Sequence, residues 1–182
     1  MKNQRLVKSV RTFLVVLGLL IPAATAAAPA NFSGQWKLDS KRSDDLQSML
    51  KLCGVGFLER KLAAQLAPTL TIRHDAERMV VVNENEHNKS KMTTRFDGKP
   101  QQRETSLGRM TVSTRWARDY QAIHDESVTV CKRNGVKLRM VTTRRFAKSG
   151  GKVNRDEMVV LMSVTTAGHK PKRFRRIFVR TQ

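Results

Sequence analysis

Beyond Pro68 the chain breaks into short runs rich in Val, Thr and Ile, several of which alternate with period two. Turn signals at His74-Asp75, Asp97-Gly98, Asn134-Gly135 and Gly150-Gly151 separate the runs. A period of two puts alternate side chains on one face of an extended strand, so this texture excludes a helical domain. Leu70 alternates with Ile72, Val80 with Val82, and Met110 with Val112, Thr114 and Trp116. Each run predicts a half-buried antiparallel strand with these residues facing inward. Further runs cover Ser127 to Lys132, Val136 to Phe146, Glu157 to Thr165 and Arg173 to Arg180. Many short strands at this spacing predict a sandwich or a barrel, and closure removes the exposed edges.

Ahead of Pro68 the pattern is helical. Asp44 and Asp45 supply negative charge where a first turn favours it, and Leu46, Met49, Leu50 and Cys53 recur at helical spacing until Gly54. Phe57, Leu58, Leu62 and Leu66 repeat the stripe up to Pro68. The prediction is a helix-turn-helix of about 25 residues, whose plainest alternative is a pair of helices packed on a core with no further role.

The first 28 residues differ from all this. Lys2, Arg5, Lys8 and Arg11 precede the apolar run Phe13 to Ile21, and Ala23 to Ala28 follows Pro22. These are the parts of a secretory signal peptide, cleaved after Ala26 or Ala28. Residues 29–182 then form one domain, expected to be soluble, monomeric, and secreted or periplasmic. The leader holds four of the 35 basic residues and none of the 15 acidic ones. The mature chain thus carries 31 against 15, a net charge of +16. Such an excess suits an anionic surface, such as a membrane. With two Trp and one Tyr, the chain lacks the aromatic interleaving of a nucleic-acid surface. The only cysteines, Cys53 and Cys131, form either a disulfide of an exported protein or two separately buried thiols.

The chain offers no catalytic constellation. His74, His87, His124 and His169 pair at no metal-ligand spacing, and no Gly-rich phosphate loop, H-E-x-x-H or G-x-S-x-G motif occurs. His124-Asp125-Glu126 reads as a solvated turn beside a strand. No enzyme, metal or cofactor is expected.

Three stretches carry a resemblance. Phe32-Ser33-Gly34-Gln35-Trp36-Lys37-Leu38 is similar to the opening F-x-G-x-W-K-L of the intracellular lipid-binding proteins, the fatty-acid-binding and retinoid-binding family. Gly54-Val55-Gly56-Phe57, Arg60-Lys61-Leu62-Ala63 and Ala67-Pro68-Thr69 resemble its helical lid, and Arg176-Ile177-Phe178 resembles its closing R-x-Y. The resemblance implies an all-β fold: about ten antiparallel strands in a closed barrel, capped by a short helix-turn-helix lid, with a fatty acid or similar amphiphile inside. Gly34, Trp36, Gly54 and Gly56 would be structural, and Phe57 would contact the ligand.

The last strand adds its own argument. Phe174, Arg176 and Phe178 share one face by period two, and Arg175, Ile177 and Val179 share the other. An arginine between two phenylalanines suits an interior that holds a carboxylate beside an apolar chain, although a surface charge in a basic tail is the alternative. The family uses a second interior arginine, and Arg144, alternating with Met140, Thr142 and Phe146, is the candidate. Phe178 stands where the family has tyrosine, which removes a hydroxyl donor to the carboxylate. The function expected is an exported carrier of a fatty acid or similar hydrophobic ligand. The alternative is a structural barrel whose cationic surface binds anionic polymers or membranes.

Overall fold

The computed structural model describes residues 28–85 and 88–181. The expected signal peptide, apart from Ala28, and His87 lie outside the described residues. The elements run β1 (Gly34–Leu38), α1 (Gln47–Leu52), α2 (Phe57–Gln65), β2 (Thr69–His74), β3 (Arg78–Asn85), β4 (Asn88–Arg95), β5 (Gln101–Glu104), β6 (Gly108–Trp116), β7 (Ala122–Cys131), β8 (Lys137–Ser149), β9 (Lys152–Thr165) and β10 (Lys172–Thr181).

Every strand pairs antiparallel with its sequence neighbour except β4 with β5, and β1 also pairs with β10, in the order β4-β3-β2-β1-β10-β9-β8-β7-β6-β5. The sheet thus curls into a nearly closed barrel, the architecture the sequence predicted. Its open seam lies between β4 and β5, which share no ladder. Side chains cross that seam: Arg103 Nη2 donates to Thr94 Oγ1 at 2.9 Å. The Arg95 amide donates to Gln101 Oε1 at 3.3 Å.

Two apolar clusters fill the ends. At the closed end Phe32, Trp36, Ile72, Met79, Ile123 and Phe146 are buried together. Phe32 stacks on Phe146 at 4.6 Å, and its amide donates to His74 Nε2 at 2.9 Å. The Trp36 indole N–H donates to the Phe32 carbonyl at 2.9 Å, which satisfies the polar atom of a fully buried ring. Gly34 has φ 137°, and a Cβ there would meet the Arg180 guanidinium that lies over Trp36. At the other end Met49, Cys53, Cys131, Leu138, Val164 and Phe174 join α1 to the barrel rim.

The two cysteines form a disulfide, which resolves the alternative left open by the sequence. It ties the segment after α1 to the end of β7. Asn134 Nδ2 donates to the Leu52 carbonyl at 2.9 Å, and Arg133 pairs with Glu59 at 2.7 Å, so the β7–β8 turn holds the whole lid. Glu59 also accepts the Gly56 amide at 3.1 Å, closing the first turn of α2. Gly54 takes φ 74°, the left-handed conformation that ends α1.

Several expectations need correction. Val80 and Val82 do not face inward; Met79 and Val81 are the buried pair of β3, because Met79 pairs with His74 and Thr94 on the inner face. The apolar stripe of α2 does not pack on the core: the helix buries no residue, and Phe57, Leu58 and Leu62 are exposed. His124-Asp125-Glu126 is no turn; it lies within β7. The hairpin around Gly150 is extended, as the longer strand region suggested, with β8 and β9 running 13 and 14 residues.

Candidate functional site

Register places the polar groups between the two apolar clusters. On β10, Phe178 pairs with Met158, Arg176 with Val160 and Phe174 with Met162. On β8, Phe146, Arg144 and Thr142 pair with the same three residues of β9 from the other side. Arg144 and Arg176 therefore stand level on the inner face, two strand spacings or roughly 10 Å apart at their Cα atoms. Phe174 and Phe178 are buried on either side of Arg176 along the strand.

Arg144 is only 8% exposed, and its Nε–H is buried without an acceptor. Its Nη1 approaches Met79 Sδ at 3.5 Å and Asp125 Oδ2 at 4.0 Å. Arg176 is more open and has no hydrogen-bonding or ionic partner among the described residues; its Nε–H is also buried and unpaired. Burial alone lowers its pKa. Its side chain lines a cleft of about 220 Å³ between the barrel and the lid, with Leu38, Leu46, Leu50, Ala63 and Leu66. Asp44 and Asp45 also line this cleft, but their carboxylates accept the backbone amides of Arg175 and Gln47.

Sequence reasoning did not reach two further interior residues. Asp125 accepts the hydroxyl of fully buried Thr114 at 2.6 Å. Arg103, on β5, bonds Thr94 and Gln101, keeps Nη1 buried and unpaired, and has its pKa lowered by burial, against the pull of Asp125. The signal for Asp125 was present: it lies two residues from Ile123 and from Ser127, in phase with the buried face of β7. β5 is only four residues long, too short for periodicity to reveal.

Phe57, read as a ligand contact, is not brought to the interior. Its ring is 62% exposed on α2, with Lys61 Nζ 4.8 Å and Arg60 5.8 Å from the centroid. Gly34, Trp36, Gly54 and Gly56 occupy structural positions, at the start of β1 and around the lid turn. Among the described residues no group of three or more His, Cys, Asp or Glu side chains is arranged to hold a metal ion.

The arrangement can bind an amphiphile by one end. Guanidinium groups with free N–H donors meet an anion, and methionines at 79, 140, 158 and 162 adapt to an apolar chain because their thioethers repack easily.

No protein-family model and no curated protein matches the chain. Solved structures do. The REP1-NXSQ fatty acid transporter superposes with a TM-score of 0.62 at 18% identity, covering 82% of this chain and 96% of that one. The apo Caenorhabditis elegans lipid binding protein 8 gives 0.62 at 19%, with 82% and 95% covered. The Schistosoma mansoni fatty acid binding protein in complex with arachidonic acid gives 0.60 at 20%, with 83% and 96% covered. These neighbours are binding and carrier proteins. The chain has the fold of the intracellular lipid-binding proteins, a helix-capped ten-stranded barrel.

Proposed function

We propose that this protein is an exported, monomeric carrier of a fatty acid or similar amphiphile, not an enzyme, whose ligand lies in the barrel with its carboxylate against Arg144 and Arg176. The observation that carries this reading is the pair of level, inward-facing arginines, each with a buried N–H lacking an acceptor, lying between two apolar clusters. A buried donor without a partner costs about 1–3 kcal/mol, and a carboxylate would satisfy both. Each buried methylene of the tail adds about 0.8 kcal/mol, so the tail supplies most of the affinity and the arginines fix orientation. The likeness of fold to fatty-acid carriers supports the ligand class. The Cys53–Cys131 bridge supports an oxidising compartment, in keeping with a secretory leader.

Titration of delipidated protein with a fluorescent fatty acid tests the reading. Saturable binding at one site, weakened by Arg176→Ala, is expected, and failure to bind any apolar probe refutes it.

A specific observation also favours a membrane-facing surface. Phe57, Leu58 and Leu62 project from α2 beside Arg60 and Lys61, the composition of an interfacial helix. The carrier would meet anionic membranes through this face. Vesicles containing anionic lipid should retain the protein in a salt-dependent manner, and Phe57→Ser with Leu58→Ser should abolish retention. Equal retention by neutral vesicles would refute the electrostatic part of the reading.

A further inference from the structure

Four ionised groups share the middle of the barrel, and they do not balance. Arg103, Arg144 and Arg176 are the cations, and Asp125 is the anion. Arg103 and Arg144 converge although they come from distant strands. Arg103 Nη2 bonds Thr94, Arg144 Nη1 reaches Met79, and Thr94 and Met79 are direct cross-strand partners on β4 and β3. Asp125 lies beside both, 4.0 Å from Arg144 Nη1, and acts electrostatically on Arg103. One carboxylate cannot neutralise two guanidiniums, and the Arg176 side chain, level with Arg144, forms no ion pair among the described residues: Asp44 and Asp45 at the rim of its cleft are exposed and bond the Arg175 and Gln47 amides. Each of the three retains a buried N–H without an acceptor: Arg103 Nη1, Arg144 Nε and Arg176 Nε. Phe178 offers no hydroxyl to share the task.

A monocarboxylate would offset one of the two surplus charges and leave the other in a poorly solvated interior, where an uncompensated ion is costly. From this imbalance we infer that the preferred ligand carries a headgroup with two negative charges, such as the phosphate monoester of a single-chain lipid, seated among Arg103, Arg144 and Arg176. The inference rests on the carrier reading above and sharpens its ligand class. A phosphate monoester has three acceptor oxygens and loses its second proton near pH 6, which suits three separated donors better than a planar carboxylate does. Arg103 becomes a residue that sets headgroup specificity, in addition to stitching the seam between β4 and β5. Asp125 becomes the counter-ion that keeps the interior cations tolerable.

The test is calorimetric titration at about pH 8, where the phosphate is a dianion, with delipidated protein and three probes: palmitate, hexadecyl phosphate and inorganic phosphate. Hexadecyl phosphate should bind at least about tenfold tighter than palmitate, and inorganic phosphate far more weakly than either. Arg103→Met should erase that preference. Asp125→Asn, which keeps an acceptor for the Thr114 hydroxyl, should enlarge it. If Arg103 only closes the seam, Arg103→Met lowers the melting midpoint and shifts both lipids equally, which overturns the inference. Palmitate binding as tightly as hexadecyl phosphate in the wild-type protein also overturns it, and leaves the carrier reading standing. Binding of inorganic phosphate as tightly as the lipid shows an anion site without a tail and overturns the inference as well. Failure of both lipids to bind refutes the carrier reading and this one together.

Discussion

Arg176→Met separates a ligand anchor from a structural arginine because the two roles predict opposite signs. The Arg176 side chain makes no hydrogen bond or ion pair among the described residues, and its Nε–H is buried without an acceptor. Methionine keeps most of the aliphatic stem and fills the same space beside Leu38 and Leu66. Removal of the orphaned donor should therefore stabilise the free protein. The full gain for a buried group is about 1–3 kcal/mol, and partial exposure of this side chain places the expectation near 1 kcal/mol. For a domain of this size that is a rise in melting midpoint of roughly 2–4 °C. Ligand binding should move the other way. Charge-assisted hydrogen bonds contribute about 1.5–3 kcal/mol, which at about 1.4 kcal/mol per tenfold is a loss of roughly 10- to 150-fold in affinity for a fatty acid. Differential scanning calorimetry of the apo protein and fluorescent fatty-acid titration read the two effects on the same sample. A variant that melts lower than wild type and binds the fatty acid unchanged would refute the reasoning, since Arg176 would then be supporting the fold.

Reduction of Cys53–Cys131, or its replacement by Cys53→Ser with Cys131→Ser, should cost about 4.5 kcal/mol in the chain-entropy account of a bridge spanning 78 residues, visible in chemical denaturation; a loss below about 1 kcal/mol would mean the lid is held by its other contacts. Glu59 has its pKa lowered first by the Arg133 hydrogen bond and then by the Gly56 amide. Its contribution is therefore complete above the ordinary carboxylate range and lost as pH falls through the lowered value. Hydrogen exchange of α2 amides should accelerate over that acidic window, and Glu59→Gln should show the faster exchange already at neutral pH. Trp36→Ala should destabilise the closed end by about 3–5 kcal/mol, measured by urea unfolding, since it empties a fully buried site and removes the partner of the Phe32 carbonyl.

Much of the barrel was legible because its code is local. Period-two alternation marks a strand wherever one side is apolar, and the Arg176 row between Phe174 and Phe178 could be read from its own strand. The lid turn was legible for a similar reason: Gly54 adopts the left-handed conformation that few other residues take, and Pro68 cannot continue a helix. Alternation does not say which phase faces in when both are apolar. That is why Val80 and Val82 were assigned to the interior in place of Met79 and Val81. Nor does a helical stripe say whether anything covers it, and α2 keeps Phe57 outside.

What the tertiary structure alone decided is which distant residues meet. Curvature of the sheet brings the four residues of β5 against β4, so Arg103 reaches Thr94 and the neighbourhood of Arg144. Pairing of β6 with β7 sets Asp125 beside Thr114, turning what looked like a solvated acidic run into the counter-ion of the interior. Folding of the lid over the β7–β8 turn places Cys53 on Cys131. Propensity and period are properties of a few consecutive residues and so are written in the chain itself. Charge balance inside a barrel is a sum over side chains from strands far apart in sequence, and it acquires a value only when the sheet closes.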